Sequence, residues 1–94
     1  MSGLKHTTNC LGYQQITTVS SSVGLTIPTG TDPTYVIIVA QTQAVRWRDD
    51  GVAPTASVGM PLDVGVAFRY DGDLRRIRFF EQAASAALNV SYYS

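Results

Sequence analysis

The sequence is poor in the residues from which proteins build metal and disulfide sites. It contains one cysteine, Cys10, and one histidine, His6, among 94 residues. A structural zinc ion takes about four Cys or His ligands, so an internal zinc site is excluded. One cysteine also cannot form an internal disulfide. We therefore expect no metal, no other cofactor and no disulfide framework.

Groups suited to catalysis are equally scarce. His6 lies in an N-terminal stretch without hydrophobic periodicity, so we expect it to be solvated rather than held as a catalytic base. The turn at 49–51 (Asp-Asp-Gly) lacks the spaced acidic residues and the closing glutamate of a calcium loop. No glycine-rich phosphate loop precedes a predicted helix. The sequence thus predicts no catalytic residue and a protein that is not an enzyme.

Charge and long apolar runs are limited as well. Charged residues make up 15% of the chain, and seven basic residues balance seven acidic ones. A nucleic-acid-binding protein normally carries a basic excess, so nucleic acid is not the expected partner. The strongest apolar run, 35–40, is far shorter than the ~20 residues of a membrane span. The start of the sequence lacks a signal-peptide apolar region, and we expect no membrane partner.

The residues that are present favour β-structure. Short segments rich in β-branched and aromatic residues alternate with turn signals at roughly 8–12-residue spacing. This pattern predicts an all-β fold: a compact, jelly-roll-like β-sandwich or barrel of about seven or eight short antiparallel strands. Residues 1–12 are expected to form a flexible extended arm, and residues 13–94 a single β domain. The predicted strands are 13–19, 23–27, 35–41, 44–48, 64–70, 76–81 and 87–93, with a short edge strand near 57–58.

Two-residue alternation within these segments predicts which side chains face inward. The continuous β-branched run at 35–41 further suggests a central strand that is buried on both faces. Trp47 is expected to fill the core, because its arginine neighbours occupy the opposite face. The predicted core residues are Val36, Ile38, Val45, Trp47, Phe68, Ile77, Phe79, Leu88 and Val90.

Five of the seven basic residues fall in two stretches, 46–48 and 75–80, that also carry aromatics. If the two strands are neighbours, their arginines form a ladder on one outer face. Nucleic-acid binding would need exposed aromatics for stacking, but Trp47 and Phe79 are predicted to point inward. A solvated outer face with local charge pairs is a second interpretation.

A protein interface is the interpretation that we favour, since arginine and tyrosine are enriched in interfaces. Aspartates lie at the ends of the same strands, where they could pair with the arginines of another copy. We therefore expect a homo-oligomer, a dimer or a trimer. The predicted interface residues are Arg46, Arg48, Asp49, Asp50, Arg69, Arg76, Arg78, Tyr92 and Tyr93.

Three segments together resemble small proteins encoded by tailed bacteriophages. They are AVRWRDDGVAPTASVGMP at 44–61, LRRIRFFE at 74–81 and LNVSYY at 88–93. The resemblance implies a virion structural protein, made in the cytoplasm of a host bacterium and similar to capsid decoration, or cement, proteins. Its implied partner is the major capsid protein or another virion protein, gripped in part by the N-terminal arm.

Two alternatives belong to other functional classes. One is a tail, fibre-base or head-fibre component that contacts a receptor or glycan. The other is an intracellular phage protein that binds a host target or nucleic acid. The number of copies in a particle would distinguish all three.

Overall fold

The computed structural model describes residues 9–94. They form eight β-strands: β1 (Cys10–Ile16), β2 (Val23–Gly24), β3 (Tyr35–Gln41), β4 (Val45–Arg48), β5 (Met60–Leu62), β6 (Ala67–Tyr70), β7 (Arg78–Glu81) and β8 (Ala87–Tyr93). The described residues contain no helix, and hence none with the length and apolar character needed to cross a membrane. The predicted all-β fold class is confirmed.

The strands form two separate four-stranded sheets, in the orders β1-β8-β3-β6 and β2-β7-β4-β5. Four antiparallel pairs are nested along the chain: β4 with β5, β3 with β6, β2 with β7, and β1 with β8. The chain thus resembles one long hairpin that is rolled so that its successive pairs alternate between two sheets. This nested order defines a jelly roll, and the fold is a β-sandwich rather than the predicted alternative, a barrel.

The space between the sheets is filled by side chains that alternate along each strand. In β3 and β8, every second residue is buried and the intervening ones are partly or fully exposed. No polar or charged residue is fully buried in the described part of the chain. Of the predicted core residues, seven are buried, whereas Trp47 and Phe68 are partly buried and stack on each other with ring centroids 5.1 Å apart.

The N-terminal boundary of the domain differs from the prediction. β1 begins at Cys10, so residues 10–12 belong to the sheet rather than to an arm. Asn9 extends this pairing, because its N–H donates to the carbonyl of Ser94 at 2.8 Å and its carbonyl accepts from Ser94 at 3.1 Å. The rest of the predicted arm, at 1–8, lies outside the described residues.

Several other strands are shorter than predicted because turns take up their ends. The segment 23–27 pairs only at Val23 and Gly24, and it is followed by Pro28, which has no N–H to donate. The N–H groups of Arg76 and Ile77 both donate to the Asp73 carbonyl, so β7 begins at Arg78 rather than at 76. β6 likewise begins at Ala67 rather than at 64, after Gly65 with its positive φ of 81°.

The predicted edge strand at 57–58 is instead a tight turn. The Thr55 hydroxyl accepts the N–H groups of Ser57 and Val58, at 3.3 and 3.0 Å. The edge strand follows this turn as β5 and pairs with β4. β3 is central, as predicted, but its outward residues are not fully buried, so the expectation that both of its faces are buried was wrong.

Candidate interaction surfaces

The outer face of the sheet β1-β8-β3-β6 is nearly free of charge. We call it the tyrosine face and define it by its outward side chains Tyr13, Gln15, Tyr35, Ile37, Val39, Gln41, Ala67, Arg69, Asn89, Ser91 and Tyr93. Arg69 is the one charged residue in the four strands of this sheet. Depletion of charge together with enrichment of tyrosine is typical of the core of a protein interface.

An amide and hydroxyl network organises one half of the tyrosine face. The Asn89 carbonyl oxygen accepts hydrogen bonds from the Tyr13 hydroxyl and, at 3.2 Å, from the Gln15 amide. The Asn89 amide donates in turn to Gln41 at 3.0 Å. These contacts link β1, β8 and β3 across the surface. Tyr13 is nevertheless 62% exposed, so its ring is available to a partner.

Aromatic stacking organises the other half. The rings of Tyr35 and Tyr93 stack with centroids 5.1 Å apart and planes 13° apart. The Arg69 guanidinium lies 4.1 Å from the Tyr35 ring centroid, a cation–π contact, and it also pairs with Asp71 at 3.0 Å. Ile37 and Val39 lie between the two halves and are only partly buried. Apolar side chains therefore meet solvent at the centre of this sheet.

The outer face of the second sheet carries arginines, and we call it the arginine face, defined by Arg46, Arg48 and Arg78. β4 pairs with β7, and Arg48 lies directly opposite Arg78. The Arg46 guanidinium donates to the carbonyls of Ala56 and Gly59, at 3.1 and 3.0 Å. Arg46 thus holds the long connection between β4 and β5 against the sheet.

Two predicted interface aspartates have partners within the chain. Arg48 donates two hydrogen bonds to the Asp50 carboxylate. Mainly because of these bonds, the pKa of Asp50 falls to about 2 and the pKa of Arg48 rises. The Asp49 carboxylate accepts from the Tyr70 hydroxyl at 2.6 Å. Burial, followed by this bond to Asp49, raises the pKa of Tyr70.

A pocket of about 260 Å³ opens beside the arginine face. Its walls are Arg75 and Arg76 from the turn before β7, Arg78 at the start of β7, and Ser22, Gly51 and Ala53 from two neighbouring loops. We call it the arginine pocket. It brings together the predicted residues Arg76 and Arg78 and adds Arg75, which was not among the predicted interface residues.

A groove of about 410 Å³ runs along the end of the same sheet. Trp47, Val58 and Met60 supply its apolar lining, and the paired Arg48 and Asp50 lie at its side. Val58 and Met60 are about half exposed, at 51% and 56%. All the residues that line this groove fall within the segment 44–61, but only part of Trp47 reaches solvent.

Tyr92 does not belong with the predicted interface residues. It is fully buried, and its hydroxyl donates to the Gln14 side-chain oxygen at 2.6 Å. Its burial raises the pKa of this phenol to about 12. The two-residue alternation of β8 indicates this burial, because Tyr92 lies on the same side of the strand as Leu88 and Val90.

The remaining predicted interface residues are divided between two surfaces. Arg69 and Tyr93 lie on the tyrosine face, while the arginine face and its surroundings hold the others. Ile37 and Val39 were missed because a continuous apolar run does not reveal which of its two faces is covered.

No group of three or more His, Cys, Asp or Glu side chains within residues 9–94 is arranged to hold a metal ion. Comparison with protein-family models, with curated proteins and with solved structures found no match to the chain. A functional assignment therefore depends on the two faces and on the sequence resemblance.

Proposed function

We propose that this protein is a bacteriophage virion structural protein that decorates the capsid through protein–protein contacts, with the tyrosine face as its contact surface. The observation that carries the proposal is the near absence of charge on an ordered sheet face with apolar residues at its centre. The phage resemblance of residues 44–61, 74–81 and 88–93 supports the virion setting.

The tyrosine face is suited to burial by a partner. Removing it from water costs little, because only Arg69 carries a charge and that charge is already paired with Asp71. Tyr35 and Tyr93 are stacked before any partner arrives, so binding orders few side chains. Ile37 and Val39 add apolar area at the centre, where interface energy is concentrated.

The fold is compatible with this role but does not by itself imply it. Jelly rolls occur in viral capsid proteins, in lectins and in cupins, so the fold alone does not separate these functions. The described core is filled by apolar side chains and tyrosines. Binding chemistry therefore lies on the outer faces, and the surface carries the argument.

The proposed occupant of the tyrosine face is the major capsid protein. The test measures co-sedimentation of the protein with empty shells of the phage that encodes it. Ile37→Lys should weaken binding by about tenfold or more, because it places an unpaired charge in the buried centre of the contact. Val52→Lys is the matched control: Val52 is 52% exposed in the connection between β4 and β5, two strands of the other sheet.

Three outcomes of this test are informative. Loss of binding in Ile37→Lys alone, with an unchanged melting temperature, supports the proposal. Equal binding by both variants and the unaltered protein excludes the tyrosine face as the contact. If Ile37→Lys instead reduces the solution mass of the free protein, measured by ultracentrifugation, the face binds a second copy of the chain rather than the capsid.

The number of copies in purified particles tests the location independently. A decoration protein should be present at a level comparable to that of the major capsid protein in gel densitometry. A level of a few copies would place the protein in the tail or a fibre. Absence from the particle would contradict a virion role and favour the intracellular alternative.

A further inference from the structure

The arginine pocket concentrates positive charge that the chain leaves uncompensated. The ion pairs within residues 9–94 are Arg48 with Asp50 and Arg69 with Asp71. None of the pocket arginines takes part in either pair. All seven acidic residues of the sequence lie within the described part of the chain. Three guanidinium groups therefore share one small hollow without a carboxylate partner.

Two glycines allow these guanidinium groups to lie against the backbone. Gly51 has a positive φ of 87°, and a Cβ atom there would lie 2.7 Å from a terminal nitrogen of Arg76. A Cβ atom on Gly24 would lie 3.6 Å from Cδ of Arg78. Arg76 thus packs against the turn after β4, and Arg78 packs across β2. Both side chains have defined positions although their heads are exposed.

The charge and shape of the pocket select among anionic ligands. A carboxylate has a single charge and two oxygens, which one guanidinium can satisfy. A phosphate monoester has up to two charges and three terminal oxygens, which match several guanidinium groups around a hollow. A nucleic-acid backbone carries one charge per phosphodiester, and its binding would gain from exposed aromatics. Phe79 is buried and Trp47 is stacked on Phe68. Phe80 faces outward opposite Arg46, but it does not line the pocket.

We infer that the arginine pocket is a binding site for a phosphate dianion, held by Arg75, Arg76 and Arg78. The bound dianion offsets two of the three positive charges and accepts hydrogen bonds from the guanidinium N–H groups. This site lies on the opposite sheet from the tyrosine face and does not depend on the proposed capsid contact. The dianion is inorganic phosphate or the terminal phosphate of a small ester.

Calorimetric titration of the full-length protein at pH 8 and low salt tests the inference, with inorganic phosphate and glycerol phosphate as probes. Both should bind with one site per chain. Arg76→Gln and Arg78→Gln should each weaken binding by about tenfold, the loss expected for one charge-assisted contact. Arg69→Gln removes the same charge outside the pocket and should leave binding unchanged. Because all three arginines are exposed, circular dichroism should show folded variants.

The two sources of phosphate and the diester alternative have separate readouts. Tighter binding of glycerol phosphate than of inorganic phosphate identifies an ester as the ligand, and the reverse order identifies the free ion. A thymidine oligonucleotide without a terminal phosphate should bind no more tightly to the unaltered protein than to Arg76→Gln. Three results would overturn the inference. The first is tighter binding of that oligonucleotide than of phosphate, and the second is an equal loss of phosphate binding in Arg69→Gln. The third is no phosphate binding at 10 mM, which corresponds to a binding free energy weaker than roughly 3 kcal/mol.

Discussion

The Tyr92 side chain links the core to Gln14, a polar residue of β1. Its ring is buried between the sheets, while its hydroxyl reaches Gln14 at 2.6 Å. The same Gln14 oxygen accepts the Thr26 N–H at 3.2 Å. Gln14 therefore connects β8 to the segment after β2. This polar contact satisfies a phenol that would otherwise be buried without a partner.

The raised pKa of Tyr92 gives stability a defined dependence on alkaline pH. Because the folded pKa, about 12, exceeds the ordinary value of 10.0, the folded state binds more protons than the unfolded state between these values. The contribution is complete below pH 10 and is lost as the pH rises toward 12. Burial also raises the pKa of Tyr70, so it acts in the same direction.

We expect Tyr92→Phe to lower the free energy of unfolding by about 1 kcal/mol at pH 7, since Gln14 keeps its bond to Thr26. The variant should also lose stability less steeply than the unaltered protein between pH 10 and 12. Urea denaturation across this range measures both effects. Parallel pH curves for the two proteins would contradict the assigned role of the phenol.

At the scale of the element, the edges of the sheets are unequal. β2 and β5 bound the second sheet and contain two and three residues, and β5 includes Pro61. Short strands and proline limit unwanted pairing at an edge. β1, an edge of the first sheet, is seven residues long and has no such proline. The longer edge borders the tyrosine face.

Two N-terminal deletions that end before and within β1 test where the domain begins. A protein that lacks residues 1–8 is the reference, and a protein that lacks residues 1–12 is the variant. The longer deletion removes the pairing of Asn9 with Ser94 and of Cys10 with Tyr93, together with partly buried Leu11. It should be less stable than the reference by about 2 kcal/mol or more, because backbone bonds and apolar burial are both lost. Denaturant midpoints measure the difference.

Equal stability of the two deletions would place the start of the domain after Gly12, as the sequence alone suggested. Any difference in stability between the two deletions comes from residues 9–12, because both proteins lack residues 1–8. The same reference protein can be used in the shell-binding assay. Its binding relative to the full chain measures the contribution of residues 1–8 to capsid contact.

At the scale of the whole molecule, nested pairing makes folding depend on distant contacts. Among the strands of residues 9–94, β4 with β5 is the one pair that is consecutive in the chain, whereas β1 with β8 joins residue 10 to residue 93. Such non-local pairing slows folding, because chain entropy is lost before the contacts form. We expect refolding on the millisecond-to-second timescale typical of β-sandwiches.

Trp47 is a suitable probe of this reaction. It is the only tryptophan, and it stacks on Phe68, which belongs to the other sheet. Its fluorescence in stopped-flow refolding should therefore report the packing of the two sheets. A microsecond refolding phase that accounts for the full signal change would contradict the expected dependence on long-range pairing.

The whole molecule also has two unlike outer faces. One sheet presents tyrosines and amides with a single charge, and the other presents arginines and the adjoining arginine pocket. The overall charge balance of seven basic and seven acidic residues conceals this division. A protein of this kind can bind a protein partner on one side and an anion on the other, as the two proposals state.

The local sequence pattern predicted much of the fold. The strands at 35–41 and 87–93 have the predicted bounds, and β4 lies within the predicted segment. Their inward residues Val36, Ile38, Leu88 and Val90 are buried as alternation predicts. Strand ends were less readable, because they depend on turns such as the one around Asp73, whose hydrogen bonds are specific to the folded chain.

By itself, the sequence determined the all-β class and the inward side of most strands, because backbone preference and two-residue alternation are local properties. Tertiary structure alone decided the jelly-roll order, the separation of Arg46, Arg48 and Arg78 from Tyr93, and the meeting of Arg75, Arg76 and Arg78 with Gly51. These features require residues far apart in the chain to become neighbours, and such neighbours depend on which strands pair and how the two sheets pack.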